Sequence, residues 1–283
     1  MSFPFQKTLT TRYYDLDWNR HVTSRTYERF GYDARMEILA EIGYPIQKCL
    51  TEGIVYEPKS SFVRFLSQQF AGADINVTTE LDIDENGLFL WKQELFGGDG
   101  KKACELESTS LLKQKGNILK PEVAEKKTFN ESLALKPFSI HKKPESQHTL
   151  NHTYTIPFSD MNCFWNLTQE AIWKIFEEGR FLFFKEIVDF SLIQETDSTT
   201  FFMGGEIQVY ELPEPGSNIT IQSWIESVEK IRFYFRQDLV DSKGKVLASM
   251  KDEQLFVALS SSRPRKAPPE FLNKVIAFIE TDS

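Results

Sequence analysis

The chain has 283 residues, 41% hydrophobic and 26% charged, so it can build one large domain or two ordinary ones without metals or disulfides. A net charge of −8 argues against a nucleic-acid partner. Three cysteines (Cys49, Cys104, Cys163), odd in number and with no C-x-x-C pair, exclude a disulfide framework and read as free thiols of a reducing compartment.

The first residues do not resemble a signal peptide, and no uninterrupted apolar run approaches membrane-spanning length, which places the chain in the cytoplasm. Twenty-four Phe, nine Tyr and five Trp leave two uses open. One is aromatic packing on a sheet; the other is lining a cavity for an acyl or aromatic group.

Residues 5–11 alternate and read as a strand. From Ser24 the apolar positions Tyr27, Phe30, Ala34, Ile38 and Ile42 recur at helical spacing, ending at Gly43 and Pro45. Between them lies Arg12-Tyr13-Tyr14-Asp15-Leu16-Asp17-Trp18-Asn19-Arg20-His21-Val22-Thr23, a strand-to-helix loop with two carboxylates, an amide and an imidazole. In the simplest reading Thr23 or Ser24 caps the helix and the acidic residues complement its positive end. A calcium loop fits Asp15, Asp17 and Asn19 but then needs Gly and Glu where Arg20 and Thr26 stand, so no metal is expected. The third reading is chemical: an Asp beside helix N-terminal amides can act as nucleophile or base on a carbonyl those amides polarise.

Residues 53–68 read as extended, with Pro58 at an edge or bulge. Strict alternation follows from Gly72 through Ile83, then a turn at Asn86-Gly87, a strand over 88–96, a glycine turn at 97–100 and a strand over 102–112. Strand, long helix and meander suit a curved antiparallel sheet wrapped around one helix. Residues 114–150, rich in Lys, Pro and Ser, read as a linker with at most a short helix near 121–127.

The same grammar then returns. Ser159-Asp160-Met161-Asn162 falls on Tyr14-Asp15-Leu16-Asp17, Thr168 on Thr23, Gly179 on Ala34 and Arg180 on Arg35. Gly216 and the alternation after it repeat Gly72. The expected organisation is a first repeat over 1–113, the linker, a second repeat over 151–260 and a tail over 261–283 with a short helix after Pro268-Pro269. In the second loop Asn162 replaces Asp17, Phe164 replaces Asn19 and Asn166 replaces His21. An amide offers no protonation step near neutral pH, so the second loop lacks the reactive set. Asp160 persists opposite Asp15, which suggests that Asp15 has a structural job, bonding loop amides.

The string Asp15-Leu16-Asp17-x-Asn19-x-His21-Val22 closely resembles the motif of plant acyl-ACP thioesterases and, more broadly, the Asp loop of 4-hydroxybenzoyl-CoA-type thioesterases of the hotdog fold. The resemblance covers nearly all of the chain outside the linker. It implies an α+β tandem double hotdog whose repeats pair sheet edge to sheet edge within one chain, with room for further pairing between chains. It also implies an acyl thioester hydrolase, acting on acyl-CoA or acyl-ACP with a fatty acyl group and without a cofactor. By the same resemblance Asp17 attacks the thioester or activates water, and Asn19 orients water or the carbonyl. His21 bonds the reacting groups, and the Val22 and Thr23 amides hold the oxyanion. Arg64 and Lys59 are candidates for the carrier's charge.

The chain departs from the plant pattern in carrying the motif in its first repeat and no carboxylate on the strand over 61–67. A non-catalytic acyl-thioester-binding protein and a hotdog hydratase or dehydratase are the competing readings. The histidines at 141, 148 and 152 lie in or beside the linker and read as solvated.

Overall fold

The computed structural model describes residues 4–17, 20–121 and 138–281. The chain divides into two compact units, one of 1–137 with 159–173 and the other of 138–158 with 174–283.

The first unit contains β1 (Phe5–Thr10), α1 (Ser24–Glu41), α2 (Ile46–Glu52), β2 (Ile54–Phe65), β3 (Asp74–Ile83), β4 (Phe89–Gly97), β5 (Lys102–Gln114) and β6 (Asn117–Ile118). Its antiparallel strands run β1-β3-β4-β5-β2, with β6 turned back on β5. The sheet therefore continues past residue 113, where the first repeat was expected to end, because β5 and β6 close a turn around Gly116. The helix anticipated over 121–127 falls outside the described residues, apart from Pro121.

Burial along β3 and β4 alternates residue by residue, as a sheet with one covered face requires. The bulge of β2 lies between Pro58 and Ser60, where proline cannot donate to the ladder. α1 starts at Thr23, whose side chain accepts from the Thr26 amide, and buries Tyr27, Phe30, Ala34 and Ile38. It also buries Glu28 and Arg35, which pair with each other; the Ser61 hydroxyl donates to Glu28 at 2.6 Å, and Arg35 reaches the Ser108 hydroxyl. α2 is an element that apolar spacing did not reveal; its seven residues bury only Cys49.

The second unit repeats the plan with β7 (Leu150–Thr155), β8 (Ser198–Val209), β9 (Asn218–Val228), β10 (Arg232–Val240) and β11 (Val246–Ala258). Their order is β7-β9-β10-β11-β8. α3 (Gln169–Phe183) passes into a π-helical turn over Phe184–Val188 before α4 (Phe190–Glu195), and α5 (Pro269–Val275) follows Pro268 as expected.

Each sheet meets its helix through one buried glutamine. Gln93 donates to the Thr79 hydroxyl and to the Gly31 carbonyl, both at 2.9 Å. Gln237 donates to the Ser223 hydroxyl at 3.2 Å and lies against Gly179. The small residue matching Gly179 is therefore Gly31, one helical turn before the Ala34 that sequence alignment pairs with it. A Cβ at Gly31 would come within 2.6 Å of the Gln93 side-chain oxygen and 2.8 Å of Leu106. Alanine there gains about 1 kcal/mol of helix propensity but costs roughly 1–3 kcal/mol of overpacking and strains the Gln93 bond. We expect Gly31→Ala to lower the thermal unfolding midpoint; an unchanged or raised midpoint would show that Gln93 yields freely.

Candidate active site

The loop after β1 is built from the backbone outward. Tyr13–Asp15 make one 3-10 turn. The Asp15 carboxylate is buried beneath that turn, accepting from the Arg12 amide at 2.7 Å and from the Arg29 guanidinium. Its carbonyl accepts from the Thr23 amide and the Thr26 hydroxyl, each at 3.2 Å. This is the structural job expected of Asp15, with a helical arginine added.

Leu16 and Val22 then face each other in an isolated bridge, and the chain turns between them. The Asp17 amide donates to the His21 carbonyl at 2.8 Å, and the Arg20 amide to the Asp17 carbonyl at 3.0 Å. One oxygen of the exposed Asp17 carboxylate accepts from the His21 amide at 3.0 Å. Arg20 takes a positive φ of 68° to complete the turn. The half-buried His21 ring stands edge-on to Phe70, 5.7 Å between centroids. Trp18 and Asn19 lie outside the described residues.

The second loop has the same construction. Asn162 donates its amide to the Asn166 carbonyl at 2.9 Å, and Trp165 donates to the Asn162 carbonyl at 3.1 Å. The Asn162 side-chain oxygen accepts from the Phe164 and Asn166 amides at 2.9 and 3.2 Å. Met161 bridges Leu167, and Trp165 takes the positive φ, 59°. What differs is chemical: an amide replaces the carboxylate, and Phe164 packs against the apolar cluster around Ile38, Tyr56 and Trp91.

Two expected donors need correction. The Val22 amide donates to the Gln69 carbonyl at 3.1 Å, and the Thr23 amide to Asp15, so neither is available to an oxyanion. The Gln69 carbonyl and the Asp15 anchor consume them.

Among the described residues no hydrogen bond or ion pair joins the loop to Lys59 or Arg64. Lys59 is tied to Glu57, which also pairs with Lys113 at 2.6 Å. Burial pushes the Glu57 carboxyl up, but the two lysines outweigh it and hold the group below its ordinary range. Arg64 lies over the Phe62 ring at 5.9 Å.

His141 is exposed, as expected, and also meets Glu280 at 2.8 Å and Glu226 at 3.5 Å, a grouping with metal-ligand spacing. Arg236 and Lys251 already neutralise Glu226, and the Trp224 indole donates to Glu280 at 2.6 Å. Such a donor set fits an ion-pair network rather than a divalent cation. His152, by contrast, is half-buried, 3.6 Å from Glu186.

Residues 156–275, the second repeat, match the thioesterase-like superfamily. No curated protein matches the chain. Among solved structures it is similar to an acyl-ACP thioesterase from Bacteroides thetaiotaomicron, with 13% identity, a TM-score of 0.67, and 89% of this chain and 97% of that one covered. It is similar as well to the 12:0-ACP thioesterase from Umbellularia californica, with 11% identity, a TM-score of 0.68, and 92% and 94% covered. The chain has the α+β tandem double-hotdog fold of these proteins. No helix among the described residues is long and apolar enough to cross a membrane.

The cysteines give a direct check on the loop geometry. Cys163 in the second loop is exposed; Cys49 and Cys104 are buried, and burial pushes both thiols up. Alkylation of the native protein should mark Cys163 first and reach the other two only on unfolding. Peptide mass spectrometry reads the order, and early labelling of Cys104 would contradict the packing under α1.

Proposed function

We propose that this chain is an acyl thioester hydrolase with its reactive site in the first loop. The observation that carries the reading is the contrast between two loops of one geometry. The sequence of the first carries Asp17, Asn19 and His21, and their replacements by Asn162, Phe164 and Asn166 in the second leave no general base. Asp17 keeps one oxygen for loop closure and presents the other, which bonds no described residue, for attack on a thioester carbonyl or on water. Asn19 and His21 orient the reacting groups. The similar structures are named for acyl-ACP substrates, which supports a fatty acyl thioester on acyl carrier protein or coenzyme A.

One observation favours a second reading, a protein that binds acyl thioesters without cleaving them. The Asp17 oxygen that accepts the His21 amide does what the Asn162 oxygen does in a loop without a base, so its carboxylate need only be structural.

A single substitution separates the two. Because Asn162 already closes its loop with an amide oxygen, Asp17→Asn should preserve the turn and the unfolding midpoint while removing the charge. Thiol release from acyl-CoAs of graded length, then from acyl-ACPs, should fall by about 10²–10⁴-fold. Hydrolysis equal to wild type would sink the site assignment; silence of the wild type on both carriers would favour the binding reading.

A further inference from the structure

We infer that Arg29 is the positioning residue of the reactive loop, acting through the buried Asp15; the inference rests on Asp17 being the reactive carboxylate. Asp15 fastens the end of β1 to the start of α1. Its side chain holds the Arg12 amide where the chain leaves β1, and its carbonyl holds Thr23 at the helix cap and Thr26 in the first turn. Only Leu16, itself fixed by its bridge to Val22, separates this anchor from Asp17. The direction of the Asp17 carboxylate is therefore set from Asp15.

Arg29 is the side chain that pairs with Asp15 at that place. The Asp15 side chain is fully buried, and the guanidinium is its counter-charge. Arg29 is itself fixed: its other nitrogen stands 3.7 Å from Glu170, and its plane lies 5.4 Å from the Phe30 ring and 5.9 Å from Tyr14. Burial works against the Arg29 charge, but Asp15 and then Glu170 raise its proton affinity above the ordinary value. A planar fork can serve both carboxylates where an ammonium supplies a single point charge. The second loop, which lacks the reactive set, keeps Asp160 but has Lys174 at the position of Arg29, and Asp160 is only half-buried.

The experiment measures kcat and KM for acyl-CoA hydrolysis in wild type, Arg29→Gln, Arg29→Lys, the double variant Asp15→Asn/Arg29→Gln, and Asp17→Asn. Misplacing a reacting group by about 1 Å can cost 10²-fold, so Arg29→Gln should lower kcat by about 10- to 100-fold with KM within about twofold. The double variant, which removes the buried charge and keeps an acceptor for Arg12, should recover most of that loss. Arg29→Lys should fall between. Unchanged kcat in Arg29→Gln, with Asp17→Asn inactive, overturns the positioning role alone. If Arg29→Gln does not fold, Arg29→Lys decides, and wild-type kcat there overturns the role too. Hydrolysis unchanged in Asp17→Asn overturns the reading of the site and this inference together.

Discussion

The long helix of each repeat, α1 or α3, lies so close to its sheet that a glycine stands at the contact, and a glutamine from a central strand fills the space. Gln93 ties Gly31 to Thr79, and Gln237 does the corresponding work at Gly179 and Ser223. A methyl group at either glycine would have to push that glutamine aside. The close approach fixes the height of the helix above the sheet, and with it the place where the helix begins. The chain leaving β1 is pinned independently, because the Thr11 amide donates to Ala73 and the Gly72 amide returns to Thr11. A loop suspended between a fixed strand end and a fixed helix start has few conformations left, which suits the role proposed for it.

That constraint explains why two loops of different chemistry share one backbone. The bridge, the positive-φ residue and the side-chain oxygen that closes the turn recur in both. Either oxygen of an aspartate or the single oxygen of an asparagine can accept that amide, so the fold does not discriminate between them. Loop geometry alone therefore says nothing of activity. What distinguishes the loops is the second carboxylate oxygen of Asp17, the neighbours at 19 and 21, and Phe164, which turns a polar position of the second loop into packing.

Much of this was legible in the sequence because it is periodic or repeated. The 3.6-residue spacing from Tyr27 to Ile38 located α1, alternation located β3 and β4, and the doubled loop marked the repeats. The rest depended on contacts between distant residues. α2 buries a single cysteine and has no stripe to detect. The Val22 and Thr23 amides could be excluded as oxyanion donors only by seeing Gln69 and Asp15 accept from them. Arg29 reads as one more solvated helix charge until Asp15 is found beneath it. Aligning Ala34 with Gly179 was sound along the chain, yet the contact that matters lies one turn away, because helix and sheet are not displaced equally between repeats.

The charges buried under α1 complete the argument. A buried ion pair gains little net stability over apolar packing, since desolvation consumes the attraction, but losing either partner is costly. Glu28 and Arg35 satisfy each other and bond Ser61 on β2 and Ser108 on β5, while the Trp173 indole donates to Ser61 at 3.2 Å. Rotating the helix by one residue, about 100°, would carry both charges into apolar surroundings and strand the serines. The pair therefore fixes rotation about the helix axis as Gln93 fixes height. Arg29 follows Glu28 by one residue, so holding Glu28 inward places Arg29 on the flank of α1, where Asp15 comes off the strand. The orientation of the loop after β1 is thus settled from inside the helix, by Glu28 and Arg35.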